Sequence, residues 1–217
     1  MTIAPCQHLD TSEAIGNCKI RLLIYGVPRS ASSYTWQVLK DIYNEGIIRT
    51  HELLNLSASI PVLITIRDWR DAVVSCWRCH YPEAQEMDLE AMWNYVATYQ
   101  RNIWIYRIWL RRKSKVIVLR FEDSMQNPSL VFDHANYLIP HGLTKSEQIC
   151  ILDRHTPLIN RGITLGFENT DIDLETLLRV NHVHEAAEGS WKRFIPKNRQ
   201  DYFTSLLKEP LEFDGYI

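Results

Sequence analysis

The sequence predicts an α/β fold in which a parallel sheet carries helices on both faces. Three observations point there. Three short runs rich in Ile, Val and Leu, "KIRLLIYG", "IPVLITIRD" and "KVIVLRFED", each end at a polar break, as strands buried on both faces do. Helical patterns lie between them, which is the alternation a parallel sheet requires. No internal repeat, low-complexity tract or Gly/Ser linker divides the 217 residues, so one domain is expected over 1–217, with 1–18 as a flexible N-terminus.

The first strand breaks at Gly26, and helical character resumes over residues 32–45. The second runs into a helix expected over 69–80. In the segment 88–112, Leu89, Met92, Val96, Tyr99, Ile103, Tyr106 and Leu110 recur at steps of three or four and make one apolar stripe. Trp93, Trp104 and Trp109 are assigned with that stripe to core packing. After the third strand, "QNPSLVFDHANYLIPHG" offers Asn127 as helix cap, Pro128 at the first helical position and Gly142 as the closing residue. The chain beyond about residue 155 shows no clear period.

Composition narrows the function. With 46% apolar residues the chain can bury a substantial core. A net charge of −2 and a pI near 6.4 provide no basic field, so nucleic acid is not an expected partner. No apolar run is long enough to span a bilayer, and "MTIAPCQHLDTSEAIGN" lacks the blocks of a signal peptide, so a cytoplasmic protein is expected. Five irregularly spaced cysteines suit reduced thiols better than a disulfide framework.

In such a sheet, ligands bind beyond the carboxyl ends of the strands. The stretch Gly26-Val-Pro-Arg-Ser-Ala-Ser-Ser33 lies there, between strand and helix, with the small and hydroxyl residues that let backbone N–H groups surround an anion. Its spacing is close to the nucleoside-triphosphatase loop G-x-x-x-x-G-K-S/T, but Ala31 occupies the second Gly position and Ser32 the Lys position. The cation sits instead at Arg29. An ordinary strand-to-helix turn with a serine cap is the alternative. A second constellation, "ITIRDWRDAVVSCW", places Arg67 at a strand end and Ser75 on the following helix, a guanidinium fork and a hydroxyl that together suit a phosphate. "CWRCH", Cys76–His80, satisfies the C-x-x-C-H haem-attachment pattern, but that chemistry needs export. "RRKSK", 111–115, reads as a solvated helix end.

"PRSASSYTW" resembles the phosphosulfate-binding loop of the PAPS-dependent sulfotransferases, P-K/R-S-G-S/T-S/T-W, and "IRDWRDAVVSCW" is similar to that family's 3'-phosphate motif, R-D/N-P-K/R-D-x-x-x-S. "VIVLRFEDSMQNPSLVF" resembles the "YED…P" element, "GSWKRF" the late "G-D/E-W" segment, "IIRTHELL" the "K-T-H" segment and "FDGYI" an "LGY" ending of bacterial members. The order agrees along the chain.

The resemblance implies a P-loop sulfotransferase-like fold and an enzyme that moves a sulfuryl group from PAPS, leaving PAP, to the hydroxyl or amine of a small-molecule, saccharide, lipid or peptide acceptor. His51 would be the general base. Arg29 would stabilise charge on the leaving phosphate. Ser30, Ser32, Ser33 and the loop N–H groups would hold the 5'-phosphosulfate, Ala31 and Tyr34 would belong to the same donor site with Tyr34 as a stacking ring, Arg67 and Ser75 would bind the 3'-phosphate, and Phe121 would face the adenine. The scheme requires no metal.

Departures from the family pattern stand at Ala31, where Gly is usual, Tyr34 for Trp, Trp69 for Pro and Phe121 for Tyr. The late "R-K-G" element is not evident, and His182 and His184 lie in its region. If position 31 needs positive φ, alanine there costs about 1 kcal/mol. A P-loop nucleotide kinase and a catalytically idle PAP-binding regulatory module are the alternative functions.

Overall fold

The computed structural model describes residues 20–57, 59–112, 115–164, 172–173, 178–179 and 187–217. The expectations for residues 1–18 and for His182 and His184 lie outside these. Along the chain run β1 (Leu22–Gly26), α1 (Ser32–Tyr43), β2 (Ile47–Thr50), β3 (Val62–Ile66), α2 (Trp69–His80) and α3 (Leu89–Leu110). Then come β4 (Val116–Arg120), α4 (Phe121–Gln126), α5 (Leu130–Leu138), α6 (Lys145–Arg154) and α7 (Pro157–Ile163). A short antiparallel pair follows, β5 (Ile172–Asp173) with β6 (Leu178–Arg179), and then α8 (Trp191–Phe194), α9 (Gln200–Leu206) and α10 (Lys208–Phe213).

β1 to β4 form one sheet in the order β2-β1-β3-β4, and every pairing in it is parallel. Alternation along each strand feeds two cores. Leu22 and Ile24 of β1 and Leu63 of β3 pack with Val38 and Leu39 of α1, Phe132 of α5 and Ile151 of α6. Leu23 and Tyr25, with Ile64 and Ile66, pack on the other face with Val73 and Trp77 of α2, Tyr99 and Trp109 of α3, Phe203 of α9 and Leu211 of α10. Each such side chain contributes about 1.5–3 kcal/mol on burial. The α/β architecture with helices on both faces is therefore as the sequence predicts.

Four details differ. β2 is an additional strand at the sheet edge, legible in sequence only as Ile47 and Ile48, because a four-residue edge strand whose first three residues are half-buried and whose fourth is Thr50 carries little apolar signal. The helix after the third strand is two helices. Asn127 closes α4, donating its N–H to the Asp123 carbonyl, and Ser129 rather than Asn127 precedes α5, so Pro128 lies in the turn between them. Gly142 does adopt φ +70°, but beyond the end of α5, which Ile139 caps. On α3, Met92, Val96, Tyr99, Ile103 and Tyr106 of the stripe are buried, as is Trp109, whereas Leu89 at the start of the stripe is 43% exposed and Trp93 and Trp104 are 51% and 59% exposed. Trp93 is one residue past Met92, about 100° around the helix, which turns it away from the sheet.

Candidate functional site

The β1–α1 loop is built from close approach. A Cβ at Gly26 would lie 2.2 Å from the Ser32 Cβ, so no other residue fits there. The Val27 N–H reaches the Thr65 carbonyl at 3.1 Å, and the Ser30 N–H reaches the Val27 carbonyl at 3.1 Å. The buried Ser30 hydroxyl lies 2.6 Å from the Val27 carbonyl, 2.8 Å from that of Thr65 and 2.7 Å from Thr65 Oγ1, which pins the loop to the end of β3. Arg29 and Ala31 take φ +69° and +61°. The strain anticipated at Ala31 is thus present, at a cost of about 1 kcal/mol. Ala31, not serine, is the residue before α1, and it makes no side-chain cap.

A cation outside both anion-suited segments, Arg49, joins this loop. Arg49, on the edge strand β2, donates from Nη1 to Ser32 Oγ at 3.2 Å and to Ser33 Oγ at 3.0 Å. Its signal was available in "IIRTH", where a strand end meets the base candidate. Just after β2, His51 Nδ1 is 2.5 Å from the Gly26 carbonyl. A carbonyl only accepts, so the ring proton is on Nδ1 and the basic lone pair is on Nε2.

At the end of β3, Asp68 caps α2 by accepting from the Arg70 N–H at 2.9 Å. Arg67 beside it is 4% exposed. Its Nη2 donates to the Ala187 carbonyl at 3.0 Å and lies 4.0 Å from Asp71 Oδ2, and its guanidinium sits 4.3 Å from the centre of the Phe121 ring. The buried Arg67 Nε has no hydrogen-bond partner among the described residues. Burial lowers the Arg67 pKa, partly offset by the nearby Asp71 and Glu122 carboxylates. Ser75 Oγ accepts from Arg29 Nε at 3.0 Å, which links the two anion-suited segments directly.

Asp71 holds the late "GSW" segment against this region. Its carboxylate accepts from the N–H groups of Gly189 at 2.7 Å and Trp191 at 2.8 Å and from the Ser190 hydroxyl at 2.9 Å. Trp69, where the resembling family has Pro, is fully buried, packs edge-on against Tyr99 and donates its indole N–H to Asp214 Oδ2 at 2.7 Å. The substitution is therefore built into the fold.

A cleft of about 470 Å³ opens between the strand ends and the α6–α7 region. Arg29, Ala31, Ser33 and Tyr34 line one side, with Arg67, Ser75 and Phe121 beyond them. Ser30, Ser32 and His51 do not line it; Ser30 is turned inward, Ser32 meets Arg49, and His51 lies against the first residue of the loop. Burial pushes the Tyr34 phenol up to about 12, so it stays a neutral aromatic wall. The facing wall comes from Leu152, His155, Thr156, Asn160 and Leu178, in a region whose sequence carries no clear period.

Two solved structures share this arrangement of sheet and helices. One is mouse sulfotransferase SULT7A1 complexed with PAP, 11% identical, matched over 93% of this chain and 88% of that one with a TM-score of 0.65. The other is retinol dehydratase in a complex with retinol and PAP, 12% identical, over 93% of this chain and 84% of that one with a TM-score of 0.60. The chain has the sulfotransferase fold.

At such identities only the fold carries over, and no protein-family model and no curated protein matches the sequence. Within this sulfotransferase fold, the two strand ends singled out from sequence, β1 and β3, open on one cleft. Among the described residues no helix is long and apolar enough to cross a membrane, and no group of three or more His, Cys, Asp or Glu side chains is placed to hold a metal ion.

Proposed function

We propose that the protein is a PAPS-dependent sulfotransferase. The observation that carries the reading is the meeting of both anion-suited segments in one cleft, with the buried Arg67 Nε beside it lacking a hydrogen-bond partner among the described residues. An unpaired buried guanidinium donor is costly, and a phosphate supplies the bidentate acceptor it lacks. The fold's occurrence in structures complexed with PAP supports the same ligand here, and the retinol bound to retinol dehydratase supports a small-molecule acceptor.

In this reading Arg67 and Ser75 bind the 3'-phosphate, Phe121 and Tyr34 flank the adenosine, and Arg29, Ser33 and the loop amides receive the 5'-phosphosulfate. Arg49 fixes the Ser32 and Ser33 hydroxyls and adds positive charge at the loop. The acceptor oxygen or nitrogen attacks sulfur while His51 Nε2 takes its proton. The sulfur–oxygen bond to the 5'-phosphate breaks, its electron pair stays on the phosphate, and Arg29 stabilises that charge. Arg29 acts electrostatically because a guanidinium does not give up its proton near neutral pH. The products are PAP and the sulfated acceptor, with no metal required. A single domain working in the cytoplasm belongs to the same reading.

The test is transfer of labelled sulfur from PAPS to a panel of phenols, alcohols and amines. Transfer that His51→Ala abolishes while PAP binding persists supports the enzyme. PAP binding with no transfer to any acceptor favours the idle regulatory module, and binding of ATP with magnesium in place of PAP favours the kinase.

A further inference from the structure

The segment "FDGYI" takes no part in the transfer itself, yet it reaches the turn that follows Arg67. Gly215 adopts φ +71°, which reverses the chain and brings Tyr216 back toward the sheet. The Tyr216 hydroxyl donates to Glu122 Oε2 at 2.9 Å, and the other oxygen of that carboxylate, Oε1, accepts the Asp68 N–H at 2.9 Å. Asp68 is the residue immediately after Arg67. Glu122 in turn follows Phe121, whose ring carries the Arg67 guanidinium. One carboxylate therefore ties together the backbone next to Arg67 and the start of the helix that supplies its aromatic support.

The rest of the segment reinforces this. Asp214 accepts from the Trp69 indole and, at 2.7 Å, from the Tyr106 hydroxyl, while its carbonyl accepts from Arg120 Nη2. The Arg120 guanidinium lies 5.0 Å from the centre of the Tyr216 ring. The Arg67–Asp68–Trp69 turn is thus held by two residues, Asp214 and Tyr216, about 150 positions away in sequence.

We infer that Tyr216 is a positioning residue for the 3'-phosphate subsite: acting through Glu122, it holds the Arg67 turn against the start of α4, and so sets selectivity for 3'-phosphorylated adenosine nucleotides. The inference rests on the functional reading above. Its distinctive consequence is selectivity, because a general loss of packing would weaken every nucleotide alike, whereas misplacing Arg67 weakens only those with a 3'-phosphate.

The experiment is calorimetric titration of wild type, Tyr216→Phe and Glu122→Gln with PAP and with adenosine 5'-monophosphate, beside thermal melts. Tyr216→Phe keeps the ring over Arg120 and removes one hydrogen bond, so the fold is expected to survive. The expected result is a loss of about five- to tenfold in PAP affinity in each variant, with affinity for the monophosphate within about twofold of wild type. Equal losses for both nucleotides, or no loss for either, would overturn the positioning role while leaving the functional reading intact. A wild type that binds PAP no better than the monophosphate would overturn the reading itself and the inference with it.

Discussion

Arg29 Nε donates to Ser75 Oγ across 3.0 Å, so the loop after β1 and the helix after β3 meet through the two side chains assigned to opposite ends of the donor. Arg29 is held there from a left-handed backbone, φ +69°. Ser75→Ala removes both a proposed phosphate ligand and the acceptor of the Arg29 Nε–H. PAP affinity is expected to fall about tenfold, the scale of one hydrogen bond to a charged group, and calorimetry measures it.

His51 is expected to matter for turnover alone. Its Nδ1 is committed to the Gly26 carbonyl and its ring does not line the donor cleft. His51→Ala should lower kcat by about a hundredfold or more, the usual range for a general base, with PAP affinity unchanged. Steady-state kinetics beside PAP titration separate the two; a parallel loss of affinity would show the imidazole to be a donor-site residue instead.

Backbone geometry predicts opposite outcomes at two loop positions. Ala31→Gly relieves a left-handed residue and loses some unfolded-state restriction, for a net gain of about 0.5 kcal/mol. Gly26→Ala forces a Cβ against that of Ser32 and should cost about 2 kcal/mol or more. Denaturant midpoints at constant slope read both.

The Glu122 carboxyl has a pKa raised from the ordinary 4.5, chiefly by burial, although its hydrogen bonds to Asp68 and Tyr216 and the charge of Arg67 pull the other way. The folded state therefore holds this proton to higher pH than the unfolded state. The resulting stabilisation is full below the ordinary value and is lost as pH rises through the raised one. Glu122→Gln removes that dependence, so its stability relative to wild type should improve steadily as pH rises across this window. Urea midpoints for both proteins between about pH 4 and about pH 8 test the sign.

Restoring the proline of the resembling family at position 69 should damage this protein. Trp69 is fully buried and bonded to Asp214, and its loss opens a large cavity and strands a carboxylate oxygen. Trp69→Pro is expected to cost about 3 kcal/mol or more, measured by chemical unfolding.

What the sequence revealed follows from where physical signal is strong. β1 and β3 are legible because strands buried on both faces are apolar throughout; β4, the half-buried strand at the other edge, is legible because Val116, Ile117, Val118 and Leu119 still run in a row, and both anion-suited segments are legible because they sit where β1 and β3 stop. β2 is not, since a short edge strand needs few apolar residues, and with it goes Arg49. Trp93 and Trp104 depart from the core expectation because each follows a buried stripe residue, Met92 and Ile103, by one position and so points about 100° away from it. Ser30 resembles its serine neighbours in sequence, and only the packing of Thr65 shows that its hydroxyl faces inward. The wall formed by His155, Thr156 and Asn160 has no periodic signature, so its role became visible only through tertiary contact. Tyr216 and Asp214 act on a turn far away in sequence, a relation no local pattern encodes.

The proposed function requires the cleft to recognise a 3'-phosphorylated adenosine nucleotide through Arg67. Calorimetric titration with PAP, beside ATP with magnesium, on wild type and Arg67→Ala tests it most directly. The expected result is saturable PAP binding to wild type, weakened about tenfold or more by Arg67→Ala, with little response to ATP and magnesium. Binding of ATP with magnesium but not PAP, or PAP binding indifferent to Arg67→Ala, would contradict it.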